Sequence, residues 1–343
     1  MKPTFRALQA LDRCTMRART TAFIGLGRMG SEMAHNLFLN KFSESPDSGF
    51  VVCDAIPESA VSFQRSFLSR FPEALIEVVR TPEEAVRASA TVVTMLPSSP
   101  EVQTVYTESN GIIPALRSFA ADKPQQTLLI DSTTLDVDVA RRVAGAAEES
   151  KALMIDAPVS GGVAGAKAGT LSFLVGGTEA AFRKAEPILS HMGKRIIYCG
   201  SSGAGLSAKI CNNLVLGVQQ IVVAEAMLLG QALGLDPAVL AGVINSSTGA
   251  CWASSVNNPV PSSLPDKSPP CERDYEGGFA TALMIKDMRL ATDIASARSS
   301  PLPLGQAARD LYARVLKVSP ELARKDFSSV YRYLKDLSGD GHD

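Results

Sequence analysis

The sequence predicts an α/β domain on a mainly parallel, doubly wound sheet, then a long connecting helix and an all-α C-terminal domain. Three observations predict it. Between residues 21 and 200, short apolar runs alternate with helical stretches, the pattern of a sheet covered on both faces. The first run ends in Gly25-x-Gly27-x-x-Gly30 and opens a helix. Beyond Gly203, helical periods take over and strand signals stop. A chain of 343 residues is long enough for two cores.

The elements follow in order. "TAFIGLG" is a buried strand running into a helix that extends through Asn40, and "FVVCDA" is the second strand. Thr81-Pro82-Glu83-Glu84 supplies an N-cap, a proline at the first helical position and a capping-box glutamate. "TVVTMLP", "TLLIDSTT", "ALMIDAPVS", "LSFLVGG" and "RIIYCG" read as further strands. A long apolar helix spans Gly203 to Gly230, and Asp236-Pro237 caps a helix over "AVLAGVIN". A Pro/Ser-rich loop over residues 254–278 separates these from helices in "TALMIKDMRLATDIASA", "LGQAARDLYARVLKV" and "SSVYRYLKDL". The domains are placed at 21–200 and 201–337, the second including the connecting helix, with a tail at 338–343.

Composition narrows the function classes. Apolar residues make up 45% and charged residues 20%, ordinary for a globular protein. A net charge of −1 gives no general attraction to nucleic acid or an anionic membrane. No apolar run is read as reaching the ~18 to 20 residues of a membrane span. Six cysteines without CxxC or zinc spacing predict no disulfide framework and no metal site. Residues 1–20 stand apart: Lys2, Arg6, Arg13, Arg17 and Arg19 face one acid, Asp12, and Phe5, Leu8 and Leu11 share a helical face. That is the composition of a mitochondrial transit peptide; the alternative is a basic extension without structure.

Two glycine-rich stretches carry the binding chemistry. In the first, Gly25 permits a tight turn, Gly27 lets backbone approach a pyrophosphate, and Gly30 lets helix and strand pack closely. The helix N-terminus, with Leu26, Arg28 and Met29 between the glycines, offers N–H groups and a positive dipole end to phosphate. Asp54 ends the next strand, 24 residues beyond Gly30, where a carboxylate accepts from ribose hydroxyls and repels a 2′-phosphate, or merely caps the next turn. This predicts a Rossmann-type domain that binds NAD. In the second stretch, Ser160-Gly161-Gly162 follows a strand and offers a hydroxyl and bare backbone N–H groups to a carboxylate, or simply makes a tight turn. Lys209 and Asn213 lie four residues apart, on one face of the long helix. Lys209 is either a snorkelling surface lysine or a group that does chemistry. His35, His191 and His342 accompany no substrate motif, which argues against histidine acid–base catalysis.

GLGxMG, "DAPVSGG", GxGxxxKxxxN over Gly203, Gly205, Lys209 and Asn213, and "KDMRLA" from Lys286 occur together and in order. The chain in this respect resembles the β-hydroxyacid dehydrogenases, from Thr21 to Leu337. "CWASSVNNPVP", "YEGGFATALMIKDM" and "KDFSSVYRYL" bring it nearest to members acting on 3-hydroxyisobutyrate. The resemblance implies NAD-dependent oxidation of 3-hydroxyisobutyrate to methylmalonate semialdehyde, a step of valine breakdown in the mitochondrial matrix, by a homodimer or homotetramer. It implies that Lys209 is the catalytic acid/base, positioned with substrate by Asn213. It implies that Ser132, Ser160, Gly161 and Gly162 bind substrate, and that Leu96, Pro97, Thr134 and Lys286 contact the cofactor. Phe279 and Trp252 are expected to help close the pocket, and Glu101 is left unassigned. In that reading Lys209 lies in the crevice between the domains, partly out of water, so that its neutral form takes the hydroxyl proton as hydride leaves for NAD. The alternatives are another β-hydroxyacid dehydrogenase or semialdehyde reductase of the family, and a dinucleotide-binding scaffold without catalysis. The short helical domain argues against a 6-phosphogluconate dehydrogenase.

Overall fold

The computed structural model describes residues 16–119 and 126–337, which divide into two compact units at the Lys209–Ile210 bond. The first unit is a nine-stranded sheet. Its strands are β1 (Thr20–Ile24), β2 (Gly49–Cys53), β3 (Leu75–Val78), β4 (Thr91–Thr94), β5 (Leu128–Asp131), β6 (Leu153–Asp156), β7 (Val159–Ser160), β8 (Leu171–Gly177) and β9 (Gly193–Gly200). The order β3-β2-β1-β4-β5-β6 is parallel throughout and reverses direction of travel at β1/β4. β8 turns antiparallel against β6 and β7, and β9 runs parallel to β8. This is the doubly wound arrangement expected from the alternation of runs, and its ligand crevice lies beyond the strand carboxyl ends at the reversal.

Apolar strands bury on both faces because helices cover both. Phe23, Phe50, Val52, Val93 and Ile130 are buried with Met33, Leu37 and Phe38 of the helix Arg28–Glu44. Phe38 stacks on Phe50 at 4.5 Å between ring centroids and meets Phe67 edge-on. β3 escaped the sequence reading, and β6 and β7 fall within the one run "ALMIDAPVS". β3 has alternating exposed and half-buried residues at a sheet edge, and β7 has only two residues. The helix Pro82–Ala88 starts as expected, with Thr81 Oγ1 accepting from Glu84 N at 3.1 Å. Glu84 does not close the capping box on Thr81; its carboxylate accepts from Arg80 N at 2.8 Å, one residue earlier.

The fold begins earlier than the boundary at residue 21. Thr20 is the first paired residue of β1, opposite Gly49. Arg17 is buried and donates to Thr127 Oγ1 (2.7 Å) and Val86 O (3.2 Å), while its carbonyl accepts from Ala90 N. Its guanidinium lies 5.1 Å from the Phe119 ring centroid. Residues 1–15, with most of the expected transit peptide, lie outside the described residues, as does the tail at 338–343.

The second unit is helical. The helix Ala204–Ala232 enters it and contributes Ile221, Val223, Ala224 and Met227 to its core, with Met284, Met288 and Tyr312. An 18-residue window of this helix has mean hydropathy 1.5, so by length and composition it could cross a membrane, contrary to the sequence reading. Its apolar residues have a use inside the unit: Tyr312 donates to Gly217 O, and Met288 lies against Gly217. The helices Pro237–Asn245, Thr281–Ala297, Pro303–Val318 and Val330–Leu337 fall where predicted, and Asp236 caps through Ala238 N and Val239 N. The Pro/Ser-rich stretch is not a free loop. Asn257, Asn258, Val260, Ser263, Leu264, Cys271 and Tyr275 are buried. Asp326 holds it through Asn257 Nδ2 (2.9 Å) and Phe279 N (2.7 Å).

A chain starting at Thr21 should therefore be about 2–4 kcal/mol less stable than one starting at Met16, because it loses the buried guanidinium bonds and its ring contact. Urea denaturation of the two truncations measures the difference.

Candidate active site

The carboxyl ends of β1 and β2 build a dinucleotide cradle. Gly25 passes so close to Met95 O that any Cβ would overlap it, and a Cβ on Gly30 would overlap Gly25 O. Gly27 is different: a Cβ there meets nothing within 4 Å. Packing therefore requires glycine at the outer two positions and leaves the middle one open, as close approach of a phosphate demands. The helix Arg28–Glu44 starts with Gly27 as N-cap and no side-chain cap, leaving its first amides for an anion. Asp54 Oδ2 accepts from Leu26 N at 2.6 Å and Oδ1 from Ile56 N at 2.8 Å. Asp54 thus ties the glycine turn to the end of β2, and each oxygen keeps a lone pair for a ribose hydroxyl. Leu26 is buried, Met29 half-buried and Arg28 exposed.

At β4 and β5 a buried carboxylate organises the turns. Asp131 accepts from Thr94 Oγ1 (2.8 Å) and Thr133 N (3.1 Å), and Thr94 Oγ1 pairs with Tyr106 Oη at 2.9 Å. Thr133 Oγ1 accepts from Leu96 N at 2.9 Å, fixing the Leu96-Pro97 turn. Burial pushes the Asp131 carboxyl up to about 6, against hydrogen bonds from Thr133 and Thr94 that favour its ionised form. Ser132, between these anchored residues, is fully buried, and its hydroxyl oxygen has no hydrogen-bond partner among the described residues. Thr134, next in line, is half-buried. Ser98 Oγ donates to Glu101 Oε2 at 2.5 Å.

Ser160 pairs with Ser172 on β8 and is exposed, and the chain turns through Gly161 (φ 134°) and Gly162 (φ 61°) into the helix Gly162–Ala168. Four residues before Ser160, at the end of β6, Asp156 is buried. Its Oδ1 accepts from Gly203 N (2.7 Å) and its Oδ2 from Leu206 N (3.0 Å), at the start of the long helix. Burial raises its carboxyl above the ordinary range, opposed by those amides. Lys209, one turn on, is only 7% exposed, so it does not snorkel from an open face.

Within the helical unit, Asn213 is buried and donates from Nδ2 to Asp287 Oδ2 at 2.6 Å, while its Oδ1 accepts from Asn212. Asp287 is the acid of the KD pair; Lys286 beside it is half-buried on the helix Thr281–Ala297. Phe279 meets Phe327 edge-on at 6.0 Å, and Trp252 is 47% exposed. The sequence reading missed Asp131, Thr133, Asp156 and Asp287. Their signals were present in "DSTT", "DAP" and "KD", but nothing local says which amide or side chain each would meet.

Comparison with known proteins places this arrangement. Residues 20–200 match the family model described as the NAD-binding domain of 6-phosphogluconate dehydrogenase. Residues 203–334 match the one described as NAD-binding of NADP-dependent 3-hydroxyisobutyrate dehydrogenase. The chain is 42% identical to a probable mitochondrial 3-hydroxyisobutyrate dehydrogenase of Dictyostelium discoideum, over 93% of this chain and 92% of that one. It is 39% identical to the mitochondrial 3-hydroxyisobutyrate dehydrogenase of Mus musculus, over 96% and 91%. Among solved structures it is similar to the Mycobacterium tuberculosis 3-hydroxyisobutyrate dehydrogenase with L-serine, at 41% identity and TM-score 0.80, covering 92% of this chain and 99% of that one. The chain belongs to the 3-hydroxyisobutyrate dehydrogenase family. It is an NAD-dependent dehydrogenase, and its own residues fit a dinucleotide: a glycine open on its Cβ side and uncapped helix amides at the turn after β1.

Two outcomes follow from this geometry. Gly27→Ala should leave stability within about 0.5 kcal/mol but raise KM for NAD at least about tenfold, whereas Gly30→Ala should destabilise the fold; thermal denaturation and initial rates separate them. The folded Asp131 carboxyl keeps its proton to higher pH than the unfolded chain, 3.8 rising to about 6. Its stabilising contribution is therefore full below pH 4 and lost as pH rises through about 6. Asp131→Asn should gain on the wild type across that window by about 3 kcal/mol and hold the gain above it, as urea denaturation from pH 4 to 7.5 would show.

Proposed function

We propose that this chain oxidises 3-hydroxyisobutyrate to methylmalonate semialdehyde with NAD, as a step of valine breakdown in the mitochondrial matrix. Lys209 is the general acid/base. The observation that carries this is the burial of Lys209 on the helix that also bears Asn213 and starts on Asp156. A lysine withdrawn from water gives up its proton more readily, and a neutral amine takes the hydroxyl proton of a 3-hydroxy acid. NAD, when bound, accepts the hydride from the carbinol carbon. The remaining work falls to the chain. Ser132 offers a hydroxyl to the substrate, and Ser160, Gly161 and Gly162 offer a hydroxyl and backbone amides to its carboxylate. Asn213, fixed by Asp287, orients the substrate. Gly25, Leu26, Gly27, Arg28, Met29 and Gly30 hold the pyrophosphate, and Asp54 the adenosine ribose. Leu96, Pro97, Thr134 and Lys286 complete the cofactor contacts. The mitochondrial names of the slime-mould and mouse relatives support the location, and the basic residues before Met16 serve as import signal. The assembly is a homodimer or homotetramer.

A second reading, a family member acting on a different small hydroxy acid, is favoured by one fact: the mycobacterial relative was solved with L-serine. Initial rates with 3-hydroxyisobutyrate, 3-hydroxypropionate, L-serine, D-glycerate and 4-hydroxybutyrate decide between them. The expected result is the highest kcat/KM for 3-hydroxyisobutyrate, with NAD preferred over NADP. Lys209→Ala should lower kcat by about 10²–10⁴-fold with Kd for NAD within about twofold; near-normal turnover would remove Lys209 from the chemistry.

A further inference from the structure

We infer that Asp156 is a positioning residue for Lys209: a carboxylate fixed at the end of β6 that seats the first turn of the lysine's helix. The inference rests on the acid/base reading of Lys209. The helix starts at Ala204, and the amides at its beginning have no intrahelical acceptor. Asp156 supplies one from another strand, taking Gly203 N and Leu206 N on its two oxygens. This is the service of an N-cap side chain delivered across the fold, and a negative group there also meets the positive end of the helix dipole.

The seat is built closely on every side. A Cβ on Gly176 of β8 would lie 2.5 Å from Asp156 Oδ1, and one on Gly205 would lie 2.9 Å from Oδ2 and overlap Leu174 O. The Gly203-x-Gly205 spacing before Lys209 is therefore not a second phosphate loop. Gly205 leaves room for the carboxylate and for close contact between helix and β8. Lys209 lies three residues past Leu206, about 4.5 Å along the axis, and helical side chains lean back toward the N-terminus. A shift of the first turn therefore carries the lysine with it. Asp156 itself is 5% exposed and has its oxygens on backbone amides, so it acts through the helix.

The test is a double-mutant cycle on the full-length enzyme with Asp156→Asn, Lys209→Ala and the pair. Asp156→Asn should lower kcat about 10- to 100-fold, the cost of a misplacement near 1 Å, while Kd for NAD stays within about threefold. Asp156→Ala, which keeps no acceptor, should lose about a further tenfold. In the Lys209→Ala background, Asp156→Asn should change the residual rate by less than about twofold, because the group it positions is already gone. A kcat within twofold of wild type for Asp156→Asn, or an equal loss in both backgrounds, would overturn the proposal. If Asp156→Asn does not fold, Asp156→Glu keeps a carboxylate acceptor but sets it one methylene out of place, and should show the same kcat loss and the same dependence on Lys209. The Lys209→Ala arm alone decides the acid/base reading, so the two failures are distinct.

Discussion

Five parallel strands end on one line of paired positions, Cys53, Ile24, Thr94, Asp131 and Asp156, and the backbone hydrogen bonds of that register set where the chemistry can be. Every candidate group of the sheet unit except Lys209 is on that line or within about six residues beyond it. Asp54 follows Cys53, Gly25 follows Ile24, Leu96 lies two past Thr94, Ser132 follows Asp131, and Ser160 lies four past Asp156. A one-residue slip in any pairing would turn its side chains to the other face and move the whole turn. Apolar burial on both faces of the strands holds the register, so the hydrophobic core fixes the site geometry.

The sequence carries some of this plainly and some not at all. Apolar runs and their turns are local, so seven strands and the helices were readable, and the glycine spacing was readable because each glycine answers a close approach within one strand–turn–helix unit. The long-range bonds were not. Asp156 sits in a motif that was noticed for its serine and glycines, yet its partners lie 47 and 50 residues away. Asn213 meets Asp287 across 74 residues. Composition misled in two places: the helix Ala204–Ala232 is more apolar than the reading allowed, and the Pro/Ser-rich stretch looked like a loop because its prolines hide how much of it is buried. Arg17 was counted with the basic leader by charge alone, although its guanidinium is an interior group.

The buried aspartates share one physical logic. Removing a carboxylate from water is costly, and among the described residues each here offsets part of that cost through hydrogen-bond donors. Asp131 takes Thr94 and Thr133, Asp156 takes two helix amides, and Asp326 takes Asn257, Phe279 N and Ser328 N. Each joins a turn to a distant element where tight packing alone would leave the turn free to slide. Ser132 is as buried as these, and among the described residues its hydroxyl, like those of Ser89 and Ser328, has no hydrogen-bond partner.

The lysine's helix is held at its start by one such seat, Asp156 on the amides of Gly203 and Leu206. An α-helix transmits position well over so short a span, because each residue advances by about 1.5 Å and turns by a fixed angle. Clamping residues 203 and 206 therefore restricts both the rotation and the translation of residue 209. The carboxylate does not need to touch the reacting atoms for this to matter. Proton transfer demands alignment within about half an ångström, and a long flexible side chain reaches that alignment only if its backbone does not move.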